Sequence, residues 1–341
     1  MRLDGRDRRL LEIVQEGFPV SRDPYAELGR LCGLEAGECL RRLASLRRRG
    51  VVRRLGVLLD SRRLGMAVTL VGADVAPRRV GRVAGRLDGL DEVTHSYLRG
   101  GRPNLWFTLV AGSRRRIGEI LAGLAAEPGV LSLFEAPATR VYKLAVRFGG
   151  SGEPGELASG PGPDPGPVPG RHPGEARLGP PAPAARLSPA ERDVLAGLAR
   201  GVPGGRRPWA AVARRLGRTE AEVIEAVRGM LARRLVRRVA AVVDGHRLGF
   251  GANALVAWRV PLRNLDRAGA AAARRAVVSH VCARRAASGW PYNLYTMVHA
   301  RTRSGLLEAV GALRADCGTE ECRVLPTLRE FTKRPPRFAR G

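Results

Sequence analysis

Hydrophobic and polar positions along this chain change period in a fixed order, and the whole order then recurs. Leu3, Leu10, Leu11 and Val14 fall at helical spacing, Pro24 opens a second helix running to Leu31, and Cys32-Gly33-Leu34 turns into a third from Glu35 to Arg49. Gly50 stops that helix, and Val51 to Leu59 alternates as a strand or wing. A strand, helix, strand, strand, helix, strand series follows over Ala67 to Ala76, Val80 to Leu87, Glu92 to Arg99, Asn104 to Ala111, Arg116 to Ala126 and Val130 to Val146. The second pass predicts helices at Leu187 to Gly201, Pro208 to Leu216 and Thr219 to Arg234, with a wing at Leu235 to Val243. Its later elements are Ala252 to Val260, Leu265 to Arg275, Val277 to Arg284, Asn293 to His299, Ser304 to Ala315 and Cys322 to Phe331. Three helices and a wing predict a winged helix-turn-helix. The βαββαβ series predicts a ferredoxin-like sandwich whose four antiparallel strands carry both helices on one face. The α+β chain is thus a tandem repeat of these two modules, and each sandwich leaves its other sheet face open to a ligand or a partner.

Residue identities support the duplication. Asp7, Pro19, Pro24, Arg53, Arg54, Asp60, Arg63 and Gly65 match Glu191, Pro203, Pro208, Arg237, Arg238, Asp244, Arg247 and Gly249 at a constant offset of 184. The offset is 185 where His95 matches His280 and reaches 189 where Asn104-Leu105 matches Asn293-Leu294, so between these points the second copy has a four-residue longer connection containing Trp290-Pro291. Residues 149–186 are Gly, Pro, Ala and Ser with almost no large apolar side chains, a composition that cannot bury enough surface to order itself. The expected organisation is a winged helix-turn-helix at 1–60, a sandwich at 61–148, a linker at 149–186, a second winged helix-turn-helix at 187–244 and a second sandwich at 245–335.

With 341 residues and 44% hydrophobic content, each half is long enough to give both its modules a core. No apolar run reaches membrane-spanning length and the N-terminus lacks a signal-peptide pattern, so a cytoplasmic protein with no membrane partner is expected. The five cysteines are odd in number and show no CxxC or zinc spacing, which favours free thiols over a structural metal. A formal charge of +27 and a pI near 11.5 attract polyanions. In a DNA-binding reading the third helix would offer Arg41, Arg42, Arg47, Arg48 and Arg49 to the major groove. The excess is arginine scattered through helices, as a GC-rich coding bias also produces, so charge alone is weak evidence for nucleic acid.

Period-two reading of the strands collects the candidate chemistry. Val93, His95, Tyr97 and Arg99 share one face of their strand; on the next, Leu105, Phe107 and Leu109 face the helices and leave Asn104, Trp106 and Thr108 opposite. The second copy presents His280, Cys282, Arg284, Asn293 and Tyr295, with His299 at the strand end. Imidazoles beside large aromatics and arginines suit a flat anionic ligand, because aromatics stack, arginine grips carboxylates and histidine ligates iron or exchanges a proton. A single strand histidine is more often a hydrogen-bonded structural residue, and here the constellation occurs twice.

The winged helix joined to an αβ sandwich resembles the Lrp/AsnC family, whose members use the sandwich to dimerise and sense small molecules. More specifically, Phe18-Pro19 with Pro24-Tyr25, Asp60-Ser61-Arg62-Arg63-Leu64-Gly65, His95-Ser96-Tyr97-Leu98-Arg99 with Asn104-Leu105-Trp106-Phe107-Thr108, and Trp290-Pro291-Tyr292-Asn293-Leu294-Tyr295-Thr296-Met297-Val298-His299 resemble the sirohaem decarboxylases. Those are normally two related subunits; here the first half resembles the small subunit, the second half its partner, and only the linker is left uncovered. The resemblance implies removal of CO2 from the C12 and C18 acetates of sirohaem, giving 12,18-didecarboxysirohaem for haem or haem d1. Sirohaem is then the partner, and no cofactor is implied beyond the iron it carries. Among the implied catalytic residues His95, Tyr97 and His280, either histidine binds that iron or donates a proton, and Tyr97 donates or orients. Arg99, Arg284 and Arg285 are implied as carboxylate anchors, with Asn104, Trp106, Trp290, Tyr292, Asn293, Tyr295 and His299 as further substrate contacts. The halves are expected to pair within the chain, with room for a homo-oligomer and without DNA. The alternative is an Lrp/AsnC-type DNA-binding transcriptional regulator, and a third reading is a tetrapyrrole-responsive regulator that binds sirohaem without turnover. One departure stands out, since Cys282 occupies the place of Tyr97. The second site therefore omits that hydroxyl, takes it from Tyr292, or is structural.

Overall fold

The computed structural model describes residues 3–144, 148 and 185–335; most of the expected linker, with His172, lies outside them. The first half runs α1 (Gly5–Glu16), α2 (Pro24–Cys32), α3 (Ala36–Arg48), β1 (Val52–Leu59), β2 (Ala67–Val75), α4 (Val80–Asp88), β3 (Val93–Arg99), β4 (Leu105–Ala111), α5 (Arg114–Ala125), β5 (Val130–Ala136) and β6 (Ala138–Leu144). The second runs α6 (Pro189–Leu198), α7 (Pro208–Leu216), α8 (Glu220–Ala232), β7 (Val236–Val243), β8 (Ala252–Trp258), α9 (Leu265–Arg274), β9 (Val278–Arg284), β10 (Leu294–Ala300), α10 (Arg303–Cys317) and β11 (Cys322–Lys333). Local chemistry sets the helix ends. Ser188 with Glu191 and Thr219 with Glu222 close reciprocal capping boxes at the starts of α6 and α8, and Gly33 and Gly217 end α2 and α7 in the left-handed conformation.

The helical modules do not stand apart. Strands β1 and β7 pair antiparallel with Leu55 opposite Ala241 and Val57 opposite Val239, so each wing covers the other instead of projecting. One core joins Phe18, Leu46 and Leu55 to Val194, Trp209, Val227 and Val239. Trp209 Nε1 donates to the Pro19 carbonyl at 3.0 Å and Arg228 Nε to that of Val20 at 2.9 Å, which lock the modules across the repeat. On α3, Arg42 is engaged by Asp4, Asp7 and Glu38 at 2.8–2.9 Å, and this cation of the expected DNA-facing set is therefore committed inside its own module.

Among the described residues nine strands form one sheet in the order β5-β2-β4-β3-β11-β8-β10-β9-β6. Within it β5-β2-β4-β3 and β11-β8-β10-β9 each have the ferredoxin-like order, with their helices on the outside. The expected continuous strand from Val130 to Val146 is instead broken at Pro137. Its first part pairs with β2 and its second crosses to β9 of the other half, because proline cannot donate to a ladder. Strand β11 mirrors this, pairing with β8 over Cys322 to Pro326 and with β3 over Thr327 to Lys333. Since the edge strands β5 and β6 are consecutive, the two sandwiches enclose a shared interior. Leu105, Phe107 and Leu109 pack toward α4 and α5 as expected, each buried side chain contributing about 1.5–3 kcal/mol. Among the described residues no helix is long and apolar enough to cross a membrane.

Candidate active site

A bulge in each half aims the histidines into that interior. Val93 pairs with Leu109 but His95 with Thr108, and Val278 pairs with Val298 but His280 with Met297, leaving Thr94 and Ser279 as the extra residues. Each bulge reverses the alternation. Val93 therefore packs among the helix-facing apolar residues with Leu105 and Leu109, not on the face of His95 as strict period two implies. The bulged hydroxyls also hold the rings, with Thr94 Oγ1 3.0 Å from His95 Nδ1 and Ser279 Oγ 2.8 Å from His280 Nδ1.

In the first half, His95 and Tyr97 lie with near-parallel rings 6.4 Å apart, and the Arg99 guanidinium sits over the Tyr97 ring at 5.0 Å. Arg99 is buried; Nη1 donates to Thr327 Oγ1 at 2.8 Å and reaches the Leu325 carbonyl at 3.4 Å, both on β11 of the other half. Burial draws its pKa down to about 10, pushes Tyr97 up to about 12 with help from the Glu330 carboxylate, and depresses His95 to about 4 with help from Lys333 and Arg54. In the second half, His280 falls to about 3, first through burial and then through His299, His95, Arg237 and Lys333. The two expected histidines thus lie within electrostatic reach of each other, although they come from strands in different halves. Cys282 is buried and its thiol pKa is raised by burial. Arg284 crosses the Tyr295 ring at 5.6 Å and donates to the Ala136 carbonyl at 2.8 Å.

Other expected contacts are placed differently. Trp106, Trp290, Tyr292 and Tyr295 are between 1% and 7% exposed and pack on one another. Trp106 lies 5.6 Å from Trp290 and 6.4 Å from Tyr295, Phe134 stacks on Trp290 at 5.3 Å, and Trp290 Nε1 donates to the Tyr295 hydroxyl at 2.8 Å. They form an aromatic floor, not an open stacking wall, because the two inner sheet faces meet there. Gly72 belongs to the same arrangement, since a Cβ on it would lie 2.7 Å from the Phe134 ring. Asn104 and Asn293 are occupied by backbone. Each amide accepts from the N–H and donates to the carbonyl of one residue, Val75 for Asn104 and Val260 for Asn293, at 2.8–2.9 Å. Arg285 is exposed at the end of β9, its N–H bonded to the Pro137 carbonyl at 3.0 Å. His299 is 9% exposed, with Nε2 2.8 Å from Ser279 Oγ and the Phe148 ring edge-on at 5.2 Å. It supports His280 from behind. Phe148 is itself clamped by Gln15 through both backbone groups and closes over Gly245, where a Cβ would lie 2.8 Å away.

Charge reaches the interior from residues that period-two reading of the sandwich strands omits. Arg54 on β1 bears on His95, Arg237 on β7 bears on His280 and Cys282, and Lys333 on β11 pairs opposite His95. Arg53 binds Asp244 and Glu330 at 2.8 and 2.7 Å, tying the wing ribbon to β11. The signal was present in the repeated Arg-Arg pairs at 53–54 and 237–238, which read as wing residues until the wings are seen to pair over the sheet. The product is a set of neutral imidazoles amid fixed positive charge, suited to a multiply anionic ligand. Among the described residues no group of three His, Cys, Asp or Glu side chains is placed to hold a metal ion.

Comparison with known proteins converges on the same architecture. The AsnC-like ligand binding domain matches residues 63–143 and 247–332, and the siroheme decarboxylase NirDL-like HTH domain matches residues 7–53 and 191–237. The siroheme decarboxylase NirDL subunit of Paracoccus denitrificans is 31% identical over 335 residues, covering 98% of this chain and 94% of that subunit. The siroheme decarboxylase alpha subunit of Desulfovibrio desulfuricans is 40% identical over 146 residues, 43% of this chain and 84% of the subunit. The crystal structure of the siroheme decarboxylase NirDL has the same fold, with a TM-score of 0.70 at 22% identity over 98% of this chain and 94% of that one. A NirDL structure in co-complex with an iron-uroporphyrin III analogue gives a TM-score of 0.67 at 23% identity over 96% and 93% of the two chains.

Proposed function

This chain belongs to the sirohaem decarboxylases, with two unlike halves fused in one polypeptide, and on that premise we propose that it removes CO2 from the C12 and C18 acetates of one sirohaem to give 12,18-didecarboxysirohaem. The observation that carries this reading is the convergence of His95 and His280, one from each half, in an interior ringed by Arg54, Arg99, Arg237, Arg284 and Lys333. A relative of the same fold holds an iron-uroporphyrin analogue, which supports the iron arriving with the substrate. A cytoplasmic setting fits the five free thiols.

Loss of CO2 from an acetate on a pyrrole leaves an electron pair on the exocyclic carbon, which the macrocycle shares. A proton added there completes the methyl group, so each CO2 released consumes one proton. Arg99, which is buried, and Arg284, which is half-buried, anchor carboxylates, and their partly desolvated charges favour the arrangement in which ligand anions lie beside them. Burial first, and positive neighbours after it, hold the histidines neutral, and ligand anions offset the second contribution, allowing a proton to reside there when substrate is bound. Thr94 Oγ1 lies 3.0 Å from His95 Nδ1 and 3.4 Å from the Thr108 carbonyl, and when its hydrogen is on that carbonyl it accepts from His95 Nδ1–H. That leaves a lone pair on His95 Nε2, the form that ligates iron. His280 is the proton donor, with Tyr97 orienting a carboxylate.

Replacing His280 and His95 singly by Ala, with product followed by HPLC, tests the assignment. His280→Ala is expected to reduce turnover on the order of 10²- to 10⁴-fold, the usual worth of a positioned proton donor, and His95→Ala to shift the Soret band of bound sirohaem. Full activity and an unchanged spectrum in both variants would remove both residues from the mechanism.

A further inference from the structure

Ser279 Oγ lies 2.8 Å from His280 Nδ1 and 2.8 Å from His299 Nε2, whereas its other contact, the Met297 carbonyl, is at 3.4 Å. A hydroxyl has one hydrogen, so it donates to at most one of these two nitrogens, and the other nitrogen must present an N–H to the serine oxygen. With the serine hydrogen on one of the two nearer nitrogens and not on the Met297 carbonyl, the tautomers of the two histidines are tied together. If His299 Nε2–H donates to Ser279 and Ser279 donates to His280 Nδ1, His280 carries its proton on Nε2, the nitrogen left for the ligand. If the direction reverses, His280 Nε2 carries a lone pair.

The first half has no such chain. Leu109 opposite Val93 corresponds to Val298 opposite Val278, so the residue matching His299 is Val110, and Thr94 touches one imidazole only. Position 333 opposite His95 is lysine, while Leu144 stands opposite His280. His299 is buried, so its ring is held in place by this contact and by Phe148, which Gln15 and Gly245 fix in turn.

We propose that His299 and Ser279 form a proton relay that reloads His280, making the second half the proton-delivering site. This rests on the assignment of His280 as donor. The step balances as follows: a proton from water enters at His299 Nδ1, the Nε2 proton of His299 passes to the Ser279 oxygen, the serine's own hydrogen passes to His280 Nδ1, and His280 Nε2–H passes to the carbon that has lost CO2. One proton enters and one leaves in this step, which ends with His280 and His299 both protonated on Nδ1; the reverse shift, with a proton taken up at His280 Nε2 and one released from His299 Nδ1 to water, restores the starting tautomers before the next CO2 is lost. Ser279 and His299 never touch substrate; they position and recharge the group that does.

The test uses the full chain with sirohaem under anaerobic conditions, comparing Ser279→Ala, Ser279→Thr, His299→Val, the Ser279→Ala/His299→Val double variant and His280→Ala. Expected are a loss in kcat of on the order of 10²-fold for Ser279→Ala and for His299→Val, with sirohaem Kd from Soret titration unchanged. The double variant should be no worse than either single one, and Ser279→Thr should recover most of the rate because it keeps the hydroxyl. The curved dependence of rate on deuterium fraction in the wild type should become linear in Ser279→Ala. Wild-type rates in Ser279→Ala and His299→Val, with His280→Ala inactive, overturn the relay but leave His280 as donor. A fully active His280→Ala overturns the donor assignment itself. Rate losses that multiply in the double variant, or that are matched by weaker sirohaem binding and not recovered by threonine, show a packing role and also overturn the relay.

Discussion

Holding three histidines neutral inside a positively charged interior has a cost that appears when the pH is lowered. In an unfolded chain each imidazole takes up a proton near pH 6.5, whereas His95 in the fold is drawn down to about 4 and His280 and His299 to about 3, first by burial. A folded pKa below the unfolded one means that stability is complete above about pH 6.5 and is lost progressively as pH falls toward the folded values. Between about pH 7.5 and about pH 5.5 the unfolded form gains protons that the folded form refuses, which lowers stability by about 1.4 kcal/mol per histidine, or about 4 kcal/mol for the three. Urea unfolding followed by tryptophan fluorescence at the two pH values measures this directly. His280→Gln and His299→Gln are each expected to reduce the pH-dependent loss by about 1.4 kcal/mol, whatever they do to stability at neutral pH. A loss in either variant equal to that of the wild type would show that the ring is already protonated or solvated in the fold, and the electrostatic description of the interior would fail.

Three further outcomes follow from particular contacts. Asn104→Ala and Asn293→Ala each strand a backbone N–H and carbonyl, at Val75 or Val260, and should lower stability by about 2–3 kcal/mol while sirohaem Kd stays constant; weaker binding without a lower Tm would return them to the substrate wall. Arg99→Ala should raise the Kd for sirohaem at least about tenfold, and Arg99→Lys should recover little of it, because an ammonium cannot reproduce the guanidinium's reach to both Thr327 and Leu325; an unchanged Soret titration would remove it as an anchor. Because β6 and β11 each pair across the halves, halves co-expressed as separate chains should elute as one complex with activity retained, and independent folded monomers would contradict the exchange.

Much of the architecture was legible because local periodicity and the offset of 184 carry it. The apolar set Leu105, Phe107 and Leu109 identifies the helix-facing side of β4 without any tertiary knowledge. What was not legible is which strand pairs with which. Val130 to Val146 reads as one strand by alternation, and Pro137 marks a break, but nothing local says that the second part joins the other half. The pairing of the two wings was hidden for the same reason, since a strand's pattern gives its face and not its partner. At the site, the inward direction of His95, Tyr97 and Arg99 followed from alternation. Thr94 and Ser279 were overlooked because a bulge is set by the neighbouring strand's register, not by the bulged residue's type. Trp106, Trp290 and Tyr295 have the composition of a stacking platform, and only the meeting of two inner faces turns them into a floor.

The most direct measurement of the central claim is a single turnover of the wild-type chain with one equivalent of sirohaem in D2O, without oxygen, with the tetrapyrrole then weighed and mapped by mass spectrometry. The expected product has lost two CO2 units and carries one deuterium in each of two new methyl groups, at C12 and C18. Recovery of intact sirohaem after it has bound, or loss of CO2 at other positions, would contradict the account.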